Sequence, residues 1–310
     1  MTTRRLRAYI YLLLVAGIWG AAGPIIKFTL QAIDPLPFLA YRFTIAAVFS
    51  TIFFLVKIQK GKKFNKIRAN LPLSLLYGFL AVPFALGILF VGLDKSTILD
   101  FTLISVIGPL IVTAGGAFFY HDHITHKERV GISIVLIGVI LSTFFPFLYN
   151  QSDLKLTGNF LLLLYLFADG GSILLAKYLV QKKIKSANLT NLAFIVGVLI
   201  IVPLAILSYG GNNLVNSIVN LPFIYHLGVW YMALVSGSLA YFLYVRAAKS
   251  IEVSEAVLFN YLQPLFSVPL AVFWLKESLT ITFVISVAII AFGLVIAEHK
   301  KKNLKLKANS

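Results

Sequence analysis

Residues 90–125 read FVGLDKSTILDFTLISVIGPLIVTAGGAFFYHDHIT, and residues 244–280 read YVRAAKSIEVSEAVLFNYLQPLFSVPLAVFWLKESLT. Lys95-Ser96 returns as Lys249-Ser250, a spacing of 154 residues, and after one inserted residue Pro109-Leu110 returns as Pro264-Leu265, a spacing of 155. The second spacing then holds. It pairs Phe118 with Phe273, Phe119 with Trp274, Asp122 with Glu277, Thr125 with Thr280 and Gly138 with Gly293. A run of matches at one spacing reads as an internal duplication, with halves at residues 1–150 and 151–310.

Composition states the solvent. Hydrophobic residues make up 59% of the 310 residues and charged residues only 12%, with a mean hydropathy of +0.91. A soluble domain carries about 25% charged residues, so the chain reads as an integral membrane protein. Its net charge of +16 could point to nucleic acid, but the basic residues sit in short connections and at the termini. They read as topology signals, and no nucleic acid is expected. The sequence has no cysteine, which excludes a disulfide framework and thiol chemistry. Arg4-Arg5-Leu6-Arg7 before an apolar run resembles a signal-peptide start, but the run is long and lacks a small-residue cleavage site, so it reads as a retained first helix.

A bilayer is crossed by about 20 apolar residues. Ten such segments follow one another, near 8–30, 35–57, 70–93, 97–120, 128–149, 157–180, 188–209, 222–248, 253–275 and 279–298. Backbone groups in hydrocarbon must bond within their own segment, so all ten are predicted to be helices. Of the 27 Lys and Arg residues, all but Lys27, Arg42, Lys95, Lys155 and Lys276 fall at the termini or in the connections on the same side as the termini. The asymmetry predicts both termini in the cytoplasm. Five crossings per half then place corresponding helices in opposite directions. The expected fold is all-α integral membrane, ten transmembrane helices as two inverted five-helix repeats, an arrangement typical of secondary transporters with a midplane site.

Trp19-Gly20 with Lys27 eight residues after the Trp, Asp34-Pro35-Leu36-Pro37 leading to Tyr41-Arg42-Phe43, and the two proline-to-acid segments resemble the drug/metabolite transporter superfamily, specifically its ten-helix EamA-type permeases. The resemblance covers almost the whole chain. It departs at Phe167-Ala168-Asp169, where a Trp-Ala is more usual. It implies an inner-membrane permease or exporter of small metabolites, amino acids among them, working by alternating access. The expected partners are a small-molecule substrate and the bilayer, the expected state a monomer or weak homodimer, and the expected cofactor none, with proton coupling left open. A lipid-carrier or nucleotide-sugar translocator of the same superfamily is the alternative. An intramembrane enzyme is disfavoured because the sequence holds one acid at midplane depth and no HExxH.

Asp169 is the most informative side chain. It lies about a dozen residues from either end of its predicted helix, where an acid costs about 2.5–3.5 kcal/mol. It reads as a proton-coupling acid or an acceptor for a substrate cation, or else as a structural partner of another helix. Aligning Lys27 with Lys177 sets Trp19 against Asp169, so an indole and a carboxylate face one central space and could hold an ammonium group. Arg42, about 10 Å inside its helix, either snorkels or binds a substrate carboxylate. Asn260 and Gln263 precede Pro264, with Ser105 and Gly108 before Pro109. The two prolines are candidate hinges and the amides candidate cavity groups. Tyr77, Tyr231 and Tyr241 are candidate aromatic walls. His121, Asp122, His123 and His126 offer metal ligands, but the equivalent segment keeps only the acid and Thr280, so Thr125 and Thr280 read as helix caps and no metal is expected.

Overall fold

The computed structural model describes residues 3–59, 65–121, 125–144, 153–248 and 259–298. Every regular element among them is a helix. In order these are α1 (Thr3–Thr29), α2 (Pro35–Gln59), α3 (Asn65–Ala69), α4 (Leu71–Phe79), α5 (Ala85–Lys95), α6 (Ile98–Ser105), α7 (Ile107–Tyr120), α8 (His126–Phe144), α9 (Asp153–Gln181), α10 (Ser186–Tyr209), α11 (Gly211–Val219), α12 (Phe223–Trp230), α13 (Ala240–Ala248), α14 (Pro264–Pro269) and α15 (Ile281–Glu298). A π-helical segment, Leu80–Phe84, joins α4 to α5; a second, Tyr231–Leu239, joins α12 to α13; a third, Leu270–Trp274, follows α14.

Seven continuous helical stretches are long and apolar enough to cross a membrane: Arg5–Thr29, Pro35–Gln59, Leu71–Lys95, Ile98–Tyr120, Lys155–Gln181, Ser186–Tyr209 and Phe223–Tyr244. They coincide with the first four, the sixth, the seventh and the eighth of the ten expected segments. The expected fifth and tenth are the shorter α8 and α15, with 19 and 18 residues. The expected ninth begins outside the described residues and continues as a 3₁₀ turn (Phe259–Leu262), α14 and a π segment. Its irregularity has a local cause. Pro264 and Pro269 cannot donate to the helical ladder, and the backbone changes helix type beside each. Pro83 lies inside the first π segment in the same way.

Capping side chains start the helices that follow short turns. Thr97 accepts from the amide of Asp100 at 3.1 Å to open α6, and Thr280 accepts from Phe283 at 3.1 Å to open α15. Thr125 and Glu128 form a reciprocal box at α8: the Thr125 amide donates to Glu128 at 2.7 Å and the Glu128 amide to the Thr125 hydroxyl at 3.4 Å. Thr125 and Thr280 thus act as the caps expected of them.

Around this frame large apolar side chains point both ways. Phe38, Phe43 and Phe90 are fully buried, with Phe38 edge-on to Phe90 at 4.8 Å. Leu207, Ile281 and Phe118 lie more than three-quarters exposed. Such an apolar outer surface suits lipid and not water.

Helix contacts recur between the halves. A Cβ added to Gly138 on α8 would meet Ile290 on α15 at 2.7 Å, and one on Gly293 would meet Val135 at 2.9 Å. Gly138 and Gly293 stand 155 residues apart, as do Val135 and Ile290. His121 and Lys276, at the same spacing, both adopt left-handed backbone, with φ of 57° and 59°. The π segments of the two halves also overlap at the 154-residue spacing, residues 80–84 falling onto 234–238.

Where α8 crosses α15, helix backbones touch. A Cβ on Gly131 would stand 2.6 Å from the Gly293 carbonyl and 2.6 Å from Ala297. Gly131→Ala therefore forces the two helices apart, and a loss of about 1–3 kcal/mol is expected. Gly87→Ala, where nothing lies within 4 Å of the new carbon, should be neutral or stabilising by helix propensity. Thermal unfolding of both variants in detergent checks the contrast.

Candidate functional site

Trp19 lies on α1 against the second π segment. Its indole N–H donates to the Ser236 carbonyl at 3.2 Å, and its ring lies 5.5 Å from that of Tyr244. A π segment leaves carbonyls out of the regular i to i−4 ladder, and here the indole takes one of them. Tyr231, the first residue of that segment, donates its hydroxyl to the Ile18 carbonyl at 2.7 Å. Beside Trp19, a Cβ on Gly20 would stand 2.6 Å from the Gln263 carbonyl and 2.9 Å from Phe266. α1 therefore lies backbone-close to the turn at Pro264. Gln263 donates from its amide nitrogen to the Asn260 side chain at 3.3 Å. Trp19, Tyr231, Asn260 and Gln263 are thus assembled around one stretch of α1.

The second group of candidates lies across α1. Asp169 on α9 has Tyr165 four residues before it, which is one helical turn on the same face. Tyr165 lies within electrostatic reach of both Asp169 and Arg42. Arg42, on α2, is only 6% exposed, so it does not snorkel. Its guanidinium carbon lies 5.3 Å from the Phe43 ring centre and 5.7 Å from that of Phe90 on α5. One of its terminal nitrogens is buried with no hydrogen-bond partner. A buried cation without a partner is costly, at several kcal/mol of desolvation. The hydroxyls of Ser74, Thr143 and Ser286 are likewise buried without a partner, but they are uncharged.

The two groups meet through α1. Gly23, one turn beyond Trp19, would bring a Cβ within 3.4 Å of Phe101, and the Phe101 ring lies 6.5 Å from that of Tyr165. The alignment of Trp19-Gly20 with Asp169-Gly170 also has a counterpart in packing. Gly20 abuts Phe266, and Gly170 abuts Ile111 at 2.8 Å. The glycines are 150 residues apart and their partners 155. Gly171 has nothing within 4 Å of its missing Cβ, so the backbone beside Asp169 borders open space.

Other candidates lie elsewhere. Tyr77 packs against Ile67, Leu179, Ile184 and Leu189 as well as the main core. Tyr241 belongs to α13, and its side chain lies outside the described set, as do Asp122 and His123. Pro109 follows the break between α6 and α7, and Pro264 opens α14.

The far end, where α1 and α5 finish, is fastened by contacts between residues distant in sequence. The Lys27 ammonium donates to the carbonyls of Leu93 at 2.7 Å and Asp94 at 2.8 Å, closing the end of α5. Glu277, in the turn before α15, accepts from the amides of Ile98 at 2.7 Å and Leu99 at 2.9 Å, in the first turn of α6. Asp100, 7% exposed, pairs with Lys155 at 3.0 Å and accepts from Asn159 at 3.4 Å, while Ser96 bonds Asn159. These bonds tie α1, α5, α6, α9 and the turn before α15 together at one end.

The EamA-like transporter family matches residues 6–144 and again residues 156–297. The chain belongs to the EamA-like transporter family. A protein of Archaeoglobus fulgidus described as an uncharacterized transporter is 27% identical over 307 residues, covering 96% of this chain and all of that protein. A Salmonella typhimurium protein described as a probable amino-acid metabolite efflux pump is 24% identical over 273 residues, covering 86% of this chain and 87% of its own length. A crystal structure with 14% identity superposes with a TM-score of 0.62 over 96% of this chain and 98% of that one, a likeness of fold alone. This EamA-like chain is therefore a multi-pass membrane transporter of a small molecule, from a family of transporters rather than enzymes.

Glu277 lies outside the membrane-spanning stretches, and burial raises its carboxyl above the ordinary value of 4.5, against the Ile98 and Leu99 amides and Lys27, which pull it down, with Asp100 adding to the rise. A carboxyl that holds its proton more tightly folded than unfolded contributes stability in full below the ordinary value. That contribution is lost as pH rises through the raised value. The melting temperature of wild type relative to Glu277→Gln should therefore fall as pH is raised above 4.5. A difference that stays constant or grows with pH would contradict the account.

Proposed function

We propose that this EamA-like transporter exports small zwitterions, amino acids or related amines, by alternating access between two inverted five-helix halves, residues 1–150 and 151–310. The observation that carries the proposal is the buried guanidinium of Arg42, with an unpartnered nitrogen and within electrostatic reach of Tyr165, which also lies within reach of Asp169. A carboxylate on the substrate would satisfy Arg42 through two parallel hydrogen bonds. Its ammonium would face Asp169, with the Trp19 indole as a second attraction for positive charge. A zwitterion thus neutralises both protein charges at once, whereas a neutral solute leaves both unpaired in hydrocarbon.

Recurrent contacts at spacings of 150 and 155 residues support the two-half arrangement, as do the two separate family matches. The breaks near Pro109 and Pro264 supply bending points, and Asn260 and Gln263 line the approach on the Trp19 side. Asp169 takes the counter-transported proton when the ammonium leaves. The chain operates in the cell inner membrane with both termini in the cytoplasm, as a monomer or weak homodimer. The Salmonella typhimurium relative described as a probable amino-acid metabolite efflux pump supports the substrate class.

The test is uptake of labelled amino acids into proteoliposomes. Asp169→Asn keeps the shape and loses the charge. A charge-assisted bond is worth about 1.5–3 kcal/mol, so transport at limiting substrate should fall roughly tenfold or more, and its pH dependence should flatten. Unchanged, pH-sensitive transport by the variant would remove Asp169 from the mechanism.

A further inference from the structure

The seam between α2 and α12 carries a hydrogen-bond chain that the Arg42–Asp169 space does not use. The Trp230 indole N–H donates to the Tyr41 hydroxyl at 2.8 Å, and the Tyr41 oxygen lies 3.1 Å from His226 Nδ1. A phenol has one proton to give. With the indole donating into its oxygen, the acceptor within reach of that proton among the described residues is Nδ1. The chain therefore runs from indole to phenol to imidazole, and it is complete when His226 is neutral with its proton on Nε2. The rings are held together as well: Tyr41 is edge-on to His226 at 5.6 Å, and Trp230 lies tilted to it at 6.1 Å.

The surroundings are mostly apolar. On its own helix His226 has Tyr225, stacked on Phe28 of α1 at 4.9 Å, and Phe223, edge-on to Trp230 at 6.2 Å. α1 meets α12 through Thr29, which abuts Gly228, while Lys27 is engaged with the Leu93 and Asp94 carbonyls. The following π segment presents Tyr231, whose hydroxyl is committed to Ile18. α2 presents Tyr41, with Arg42 beside it directed at Phe90 and Asp34 exposed just before the helix. Among the described residues no carboxylate is bonded to the imidazole.

We propose that His226 is a proton-binding site that sets the α2–α12 seam, one turn from the far end of the protein. The neutral ring closes the seam. A proton on Nδ1 turns that atom from acceptor to donor, so that the Tyr41 oxygen faces two donors and the phenol proton loses its acceptor. The chain then breaks, and α2 is released from α12 at the residue next to Arg42. Histidine is suited to this because it changes charge between about pH 5 and 8. Proton binding here biases the helix that carries Arg42, whatever molecule occupies the space beyond it.

The chain has no cysteine, so two can be introduced cleanly. Thr44→Cys on α2 and Leu227→Cys on α12, both exposed positions, would carry nitroxide labels on the full-length protein in liposomes. Dipolar broadening is read at about pH 8 and about pH 5 without substrate. The expected result is broadening at the higher pH that is lost at the lower one. His226→Gln keeps an acceptor for Tyr41 but cannot become a cation, so its broadening should persist at both values. Tyr41→Phe, which lacks the chain, should resemble the low-pH state throughout. A spectrum insensitive to pH in the labelled background, or the same loss in His226→Gln, would overturn the proposal. Neither outcome depends on the transport assay, so this idea and the substrate assignment fail separately.

Discussion

Hydrocarbon supplies no hydrogen bonds, and several irregular places in this protein are met by a polar partner from another helix. Within the π segment at Tyr231–Leu239, the Ser236 carbonyl accepts from the Trp19 indole. The end of α5 meets the Lys27 ammonium, and the opening turn of α6 meets Glu277. Helix starts are closed by Thr97, Thr125 and Thr280. Among the described residues one terminal nitrogen of Arg42 and the hydroxyls of Ser74, Thr143 and Ser286 are buried without a partner, and Arg42 alone of these carries a charge.

The same constraint explains which features could be read from the sequence. Length and apolarity decide membrane crossing, so seven of the ten expected segments return as spanning helices with nearly the expected limits. The Pro109 and Pro264 breaks were legible because proline acts on its own backbone. The Trp19 and Asp169 equivalence was legible through Lys27 and Lys177, and it reappears in the packing of Gly20 and Gly170. Glu277 was legible as a repeated acid but its partner was not, because α6 lies 178 residues away in sequence. Tyr165 had a signal, one turn before Asp169, but its electrostatic reach to Arg42 on another helix shows only in three dimensions. The Tyr41, His226 and Trp230 chain had none: three unremarkable aromatic positions on two helices become one feature only in three dimensions.

Charge placement separates two regions with different tasks. At the far end, charges are paired or bonded to helix ends: Lys155 with Asp100, Lys27 with carbonyls, Glu277 with amides. Such arrangements hold helices in place. In the interior, Arg42 and Asp169 have no ion-pair partner among the described residues, and Tyr165 lies within electrostatic reach of both. Ionisable groups at that depth face a bundle interior or a cavity.

The central claim is that one solute completes both charges. Thermal shift of the purified protein with a panel of amino acids, their methyl esters and their N-acetyl derivatives tests it directly. The ester lacks the carboxylate for Arg42, and the N-acetyl compound lacks the ammonium for Asp169. The account predicts stabilisation by at least one free amino acid that is largely lost with both of its derivatives. Equal stabilisation by an amino acid and its ester would contradict it.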